Sequence, residues 1–150
     1  MGEYPAEAKA GGGFVWDAVL EYRVWCHPER GAPDEADGSD YYYPFESYEE
    51  AEAFASARDG TEAPLALVLQ REYIDEPAPG TYIHVREGRI TEWPVAFLSR
   101  PQRAAHTIPE FLAEDAPANR LDILRGLAPR FRHTSRLVAR QSTAPATALT

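Results

Sequence analysis

The chain has 150 residues of which 44% are hydrophobic, enough for one domain with its own core, and this excludes wholesale disorder. The net charge of −9 is uneven: residues 1–99 hold 20 acids and 7 bases (−13), residues 100–150 hold 4 acids and 8 bases (+4), so the main body repels nucleic acid. No apolar run approaches the ~20 residues of a membrane span, Met1–Glu7 lacks a signal-peptide pattern, and the single cysteine, Cys26, excludes an internal disulfide framework and fits a reducing cytoplasm.

Met1 to Gly13 is polar and ends in Gly11-Gly12-Gly13, which predicts a flexible leader. Those glycines follow no strand, so they do not form a phosphate-cradling loop. Val19 to Cys26 predicts a strand. Leu20, Tyr22, Val24 and Cys26 would share one face, and Val19, Glu21, Arg23 and Trp25 the other. Phe14-Val15-Trp16 extends that strand or packs as an arm. His27-Pro28 ends it, and Glu29 to Asp40, rich in acids, Gly and Pro, predicts a loop. Setting Gly38 at the sixth position of an EF-hand puts Pro33 first and Pro44 twelfth, and neither can ligate calcium.

Tyr41-Tyr42-Tyr43-Pro44-Phe45 reads as a short strand or as the aromatic wall of a pocket. Ser47-Tyr48-Glu49-Glu50 is a capping box that opens a helix to about Arg58, with Gly60 as terminator. Ala51, Phe54, Ala55 and Arg58 would lie along its packed side. Leu65 to Leu98 is the expected centre of the fold. It predicts a strand over Leu65–Ile74, a loop over Asp75–Gly80, and two strands joined by a two-residue hairpin at Glu87-Gly88. In that register Val85 meets Ile90, His84 meets Thr91 and Tyr82 meets Trp93. The helix after Ser47 would cover these three antiparallel strands. If Val19–Cys26 paired in parallel with Leu65–Ile74, it would be a right-handed crossover.

Thr107-Ile108-Pro109-Glu110 repeats the capping-box pattern and predicts a short helix ending by Ala116-Pro117. Asn119 would cap another helix from Arg120 to Ala128, with Leu121, Leu124, Leu127 and Ala128 on one face. Phe131 to Arg140 reads as a basic helix and Gln141 to Thr150 as a disordered tail. The fold expected is α+β: an antiparallel-rich sheet of four or five strands with one helix packed on it and C-terminal helices. It would occupy residues 14–128, between the leader 1–13 and the basic segment and tail 129–150.

No catalytic constellation is visible, and no residue is assigned a catalytic role. Cys26 and His27 are strand neighbours and point to opposite faces, so they do not form a nucleophile–base pair. His27, His84, His106 and His133 lack metal-ligand spacing, and no metal is expected. His84 shares its expected face with Tyr82 and Trp93, and as a base it would need an acid from elsewhere, such as Glu72. There is no Gly-x-Ser-x-Gly elbow and no Walker-type loop. The function expected is a small cytoplasmic, non-enzymatic binding or regulatory module that needs no cofactor. It would contact a partner protein or small ligand through the acidic loop and aromatic run, Glu29 to Phe45, and not a membrane; docking of nucleic acid by the basic C-terminal segment is a third, less favoured reading. The candidate contact residues are Trp25, His27, Tyr41, Tyr42, Tyr43, His84 and Trp93.

The segments Tyr22–Pro28, Pro64–Pro77 and Arg89–Leu98 resemble a group of small proteobacterial proteins that often carry a GNAT-type N-acetyltransferase label. The resemblance covers roughly Tyr22 to Ala128. It implies, as the alternative function, an acyl-CoA-dependent transferase with acetyl-CoA as cofactor. The pyrophosphate would sit on backbone N–H groups at a helix start, after a splayed strand. The family's Arg/Gln-x-x-Gly-x-Gly/Ala motif is matched only in its last three positions, by Gly126-Leu127-Ala128. Ile123 stands where Arg or Gln belongs, at an expected helix end whose dipole repels phosphate. No site residue of that family carries over.

Overall fold

The computed structural model describes residues 1–7 and 14–130, and the basic helix and tail expected over 131–150 lie outside the described residues. The elements run β1 (Ala18–Cys26), β2 (Tyr41–Phe45), α1 (Tyr48–Ser56), β3 (Leu65–Gln70), β4 (Tyr73–Ala78), β5 (Thr81–Val85), β6 (Arg89–Pro94), α2 (Thr107–Leu112) and α3 (Arg120–Leu124). Four strands form one sheet in the order β2-β1-β3-β6, and β4 with β5 forms a separate ribbon. Every pairing between named strands is antiparallel. The α+β class expected from the sequence is the observed one.

The centre of the chain folds back at a different place from the one expected. β3 pairs with β6 from Leu65↔Pro94 to Gln70↔Arg89, and β4 pairs with β5 from Tyr73↔Val85 to Ala78↔Thr81. The chain therefore goes out through β3 and β4, turns at Pro79-Gly80, and returns through β5 and β6. Proline presets φ for the first turn position, and Gly80 takes φ +77 with no Cβ to oppose it. Glu87-Gly88 is not a hairpin tip; it lies at the break between the two halves, across from Arg71-Glu72. That break also divides the single strand expected over Leu65–Ile74. Asp75 to Ala78, expected as loop, is strand, with Pro77 placed where the β4–β5 register shifts.

β1 lies antiparallel to both β2 and β3, so α1 is not a parallel crossover. Nor does α1 cover residues 65–98. It packs on β1 and β2, with Tyr48 against Tyr22 (ring centroids 6.0 Å) and Phe54 against Tyr43 (5.0 Å) and Phe45 (5.1 Å). The Ser47 hydroxyl accepts from the Glu50 N–H at 3.2 Å, as the capping box predicts. Ala51 is buried and Phe54, Ala55 and Arg58 are half-buried on the same side. In β1 the register shifts between Val19 and Glu21, so Leu20 is an extra residue. Val19 consequently faces the same way as Tyr22, not Glu21 as simple alternation predicts.

On the α1 face, Trp16, Val95, Phe97 and Leu98 pack against Ala66, Val68 and Trp93. A second core joins Phe14, Val15, Ile74, Ile108, Phe111 and Leu124. Here α2 and α3 lie against the β4–β5 ribbon, with Tyr82 edge-on to Phe111 at 4.9 Å, and Phe14-Val15 is an arm. Thr107 is the first residue of α2 rather than its cap; its hydroxyl accepts from the Ala104 N–H at 2.9 Å. Asn119 makes no side-chain capping bond. α3 stops early in a left-handed Gly126 (φ +75), with the Leu127 N–H donating to the Asp122 carbonyl at 2.8 Å. Leu127, expected on the packed face, is 74% exposed. At the other end, Glu7 bridges Thr91 in parallel and donates to the Ile90 carbonyl at 3.2 Å. This part of the expected flexible leader lies along β6.

Gly60 combines φ +73 with an approach in which an added Cβ would stand 2.1 Å from the Ala32 nitrogen. Gly60→Ala is expected to cost about 2–4 kcal/mol in urea denaturation. Gly80→Ala, at φ +77 with nothing within 4 Å, should cost only about 1 kcal/mol.

Candidate functional site

The sheet face away from α1 is polar at its centre. Residues opposed across an antiparallel ladder share a face. The pairs Arg23↔Pro44, Trp25↔Tyr42, Glu21↔Leu67 and Leu67↔Glu92 bring β1, β2, β3 and β6 together there. The Arg23 guanidinium donates from Nη1 to Glu92 Oε1 (3.0 Å) and from Nη2 to Glu21 Oε1 (3.2 Å) and the Tyr4 carbonyl (2.9 Å). Trp25 Nε1–H donates to the other Glu92 oxygen at 3.0 Å. Arg23 also lies over the Tyr42 ring, 4.1 Å from its centroid. Glu21, Arg23 and Glu92 are only 1%, 2% and 3% exposed. Two carboxylates and one guanidinium are thus sealed under the N-terminal segment.

Beside this cluster lies a cleft of ≈ 290 Å³ lined by Glu3, Trp25, Asp40, Tyr41, Tyr42 and Pro44. Each wall is held from behind. Trp25 is fixed by Glu92 and sits 5.0 Å from Tyr42, ring to ring. The Tyr41 hydroxyl donates to the Pro33 carbonyl at 2.6 Å; burial, then the Glu35 carboxylate, push it above the ordinary tyrosine value, so it stays protonated. Asp40 stands 2.9 Å from Nδ1 of His27, and Glu62 stands 3.1 Å from Nε2. Residues 60–62 run beside the end of β1, with the His27 N–H donating to the Gly60 carbonyl and the Glu62 N–H to the Trp25 carbonyl. The imidazole is therefore held between two carboxylates, one of which forms the cleft rim.

Of the residues expected to make contact, Trp25, Tyr41 and Tyr42 border this cleft, with the Tyr41 ring turned to the α1 face beside Tyr43 (ring centroids 5.9 Å), and His27 stands behind it through Asp40. The other three lie elsewhere. Tyr43 points to the α1 face against Phe54, with its hydroxyl on Glu35. Trp93 is buried on that same face against Phe97, ring centroids 6.0 Å apart. His84 lies on the β4–β5 ribbon, so it does not share a face with Trp93 as the Glu87-Gly88 register required. Its Nε2 meets Glu72 Oε2 at 2.8 Å, the acid that the sequence suggested. Glu72 Oε1 is held by Arg103 Nη1 (2.6 Å), and Arg103 Nε donates to Asp17 Oδ1 (2.8 Å). This chain of polar contacts clamps the ribbon break to the main sheet.

Asp40 and Pro44 lie within the expected contact stretch, Glu29 to Phe45, without having been singled out; sequence reasoning missed Glu3 and Glu92. Glu3 and Glu92 reach the site through long-range pairing, which no local pattern announces. Among the described residues no group of three His, Cys, Asp or Glu could hold a metal ion, and no helix is long and apolar enough to cross a membrane. Comparison with protein-family models, with curated proteins and with solved structures finds no match.

Replacing Arg23 by Met strands two buried carboxylates, which is expected to cost about 3–5 kcal/mol in urea denaturation, more than an exposed Arg86→Met change. Cys26 is 0% exposed, and burial pushes its thiol above the ordinary value. Alkylation of the native protein should therefore proceed only as fast as the chain opens, and become immediate in denaturant.

Proposed function

We propose that this chain is a small cytoplasmic binding or regulatory module that contacts a partner protein or small ligand through the cleft beside β2 and catalyses no step of its own. One observation carries the reading: the Trp25 and Tyr42 rings meet at one cleft and are already fixed, by Glu92 and by Arg23. Walls fixed in advance lose little freedom when a ligand enters, so more of the contact energy appears as affinity. The buried, unpaired Cys26 is in keeping with a reducing compartment.

The transferase alternative draws no comparable support. It calls for a splayed strand pair and a helix start able to receive pyrophosphate. The described sheet is paired from β2 through to β6, and the first turn of α1 already carries Glu49 and Glu50, which oppose an anion there.

A photo-crosslinker decides the location. With p-benzoylphenylalanine in place of Tyr42, irradiation in cells should give discrete adducts; in place of the exposed Ile83 on the distant ribbon it should give none. Equal labelling at both positions, or labelling at Ile83 alone, removes the cleft as the contact site. Calorimetric titration with acetyl-CoA should give no micromolar binding; saturable micromolar heat would restore the transferase.

A further inference from the structure

We propose that the cleft receives the guanidinium of an arginine side chain presented by a partner polypeptide. This rests on the binding-module reading above and names the chemistry of its ligand.

The lining residues sort by what they offer. Glu3 and Asp40 bring carboxylates, Trp25 and Tyr42 bring aromatic rings, Pro44 brings an apolar edge, and no basic residue lines the cleft. The Trp25 N–H, a donor that could serve an anion, is already engaged on Glu92. The surface left is π-electron density and negative charge, which attracts a cation. Asp40 turns one oxygen to His27, yet its side chain remains 48% exposed.

A guanidinium suits this arrangement better than an ammonium. It is planar, so it can lie against a ring while its N–H fork reaches a carboxylate, and it sheds water more readily. The protein itself makes this contact repeatedly. Arg23 lies 4.1 Å from the Tyr42 centroid, Arg89 3.7 Å from that of Tyr73, and Arg58 4.7 Å from that of Phe54. The −13 balance of residues 1–99 adds a field that draws a basic segment in and weakens with salt.

The test titrates the ¹⁵N-labelled protein with three acetylated, amidated tripeptides, Gly-Xaa-Gly, where Xaa is arginine, lysine or citrulline. Citrulline keeps the shape and removes the charge. Saturable shifts are expected at the Trp25 indole and over residues 40–44 with arginine, about fivefold weaker binding with lysine, and none with citrulline. Glu3→Gln alters an exposed side chain and should weaken arginine binding about two- to fivefold, an effect lost at high salt. Equal binding of citrulline and arginine overturns the cationic assignment while leaving the cleft as a binding site. Equal binding of lysine overturns the preference for guanidinium. Shifts located elsewhere, or absent with all three peptides, overturn both this assignment and the binding-module reading.

Discussion

One guanidinium holds the sheet in register. Arg23 joins its own strand to Glu92, 69 residues away, and to the Tyr4 carbonyl in the N-terminal segment. Taking three charges out of water costs several kcal/mol per ion, and attraction offsets this only where the geometry is good. The net gain in stability is therefore small, and the effect of the cluster is selective. Side chains alternate with a period of two, so a one-residue slip of β6 would turn Glu92 toward Ala66 and Val68 and carry Trp93 out of that core. Arg23 and Glu21 would then be buried without it, and Trp25 would lose the acceptor that fixes its ring. The orientation of the cleft wall is thus set two strands away from the cleft.

The two cores meet at a polar joint. Where β3 gives way to β4 the backbone leaves one ladder before entering the next, and side chains replace the missing partners. Gln70, fully buried, donates to the Val15 carbonyl and accepts from Arg89 Nε (2.7 Å) and Thr91 Oγ1 (3.2 Å). Next to it, Asp17, Arg103, Glu72 and His84 form a continuous run of polar contacts. These contacts, with the packing of Ile74 in one core with Phe14 and Val15, join the ribbon to the sheet.

The sequence disclosed what local chemistry decides. Ser47 and Glu50 marked the start of α1, and the spacing of Ala51, Phe54 and Ala55 marked its packed side. Local chemistry could not choose between Pro79-Gly80 and Glu87-Gly88, because each is an acceptable turn. The choice falls to burial: turning at Gly80 places Ile74 and Tyr82 against Phe111 and Leu124. The prolines that argued against a strand over 75–78 are tolerated because this ribbon has two free edges. The burial of Glu21 and Arg23 was not legible for a related reason. Alternation shows that two residues share a side, and says nothing of what arrives to cover it. Half of the site was legible for the converse reason, since Trp25, Tyr41 and Tyr42 lie on two strands that pair directly.

The sheet has two outer margins, and the chain treats them differently. Glu7 sits against β6, using the Ile90 carbonyl and receiving the Glu92 N–H, while the opposite margin is the five-residue β2, where Pro44 has no N–H to offer. Neither margin presents a long run of open backbone groups on which another molecule could stack its own strand. The N-terminal stretch that brings Glu3 to the cleft is thus also the segment that occupies the β6 margin, so the cleft rim and the covered edge depend on the same few residues.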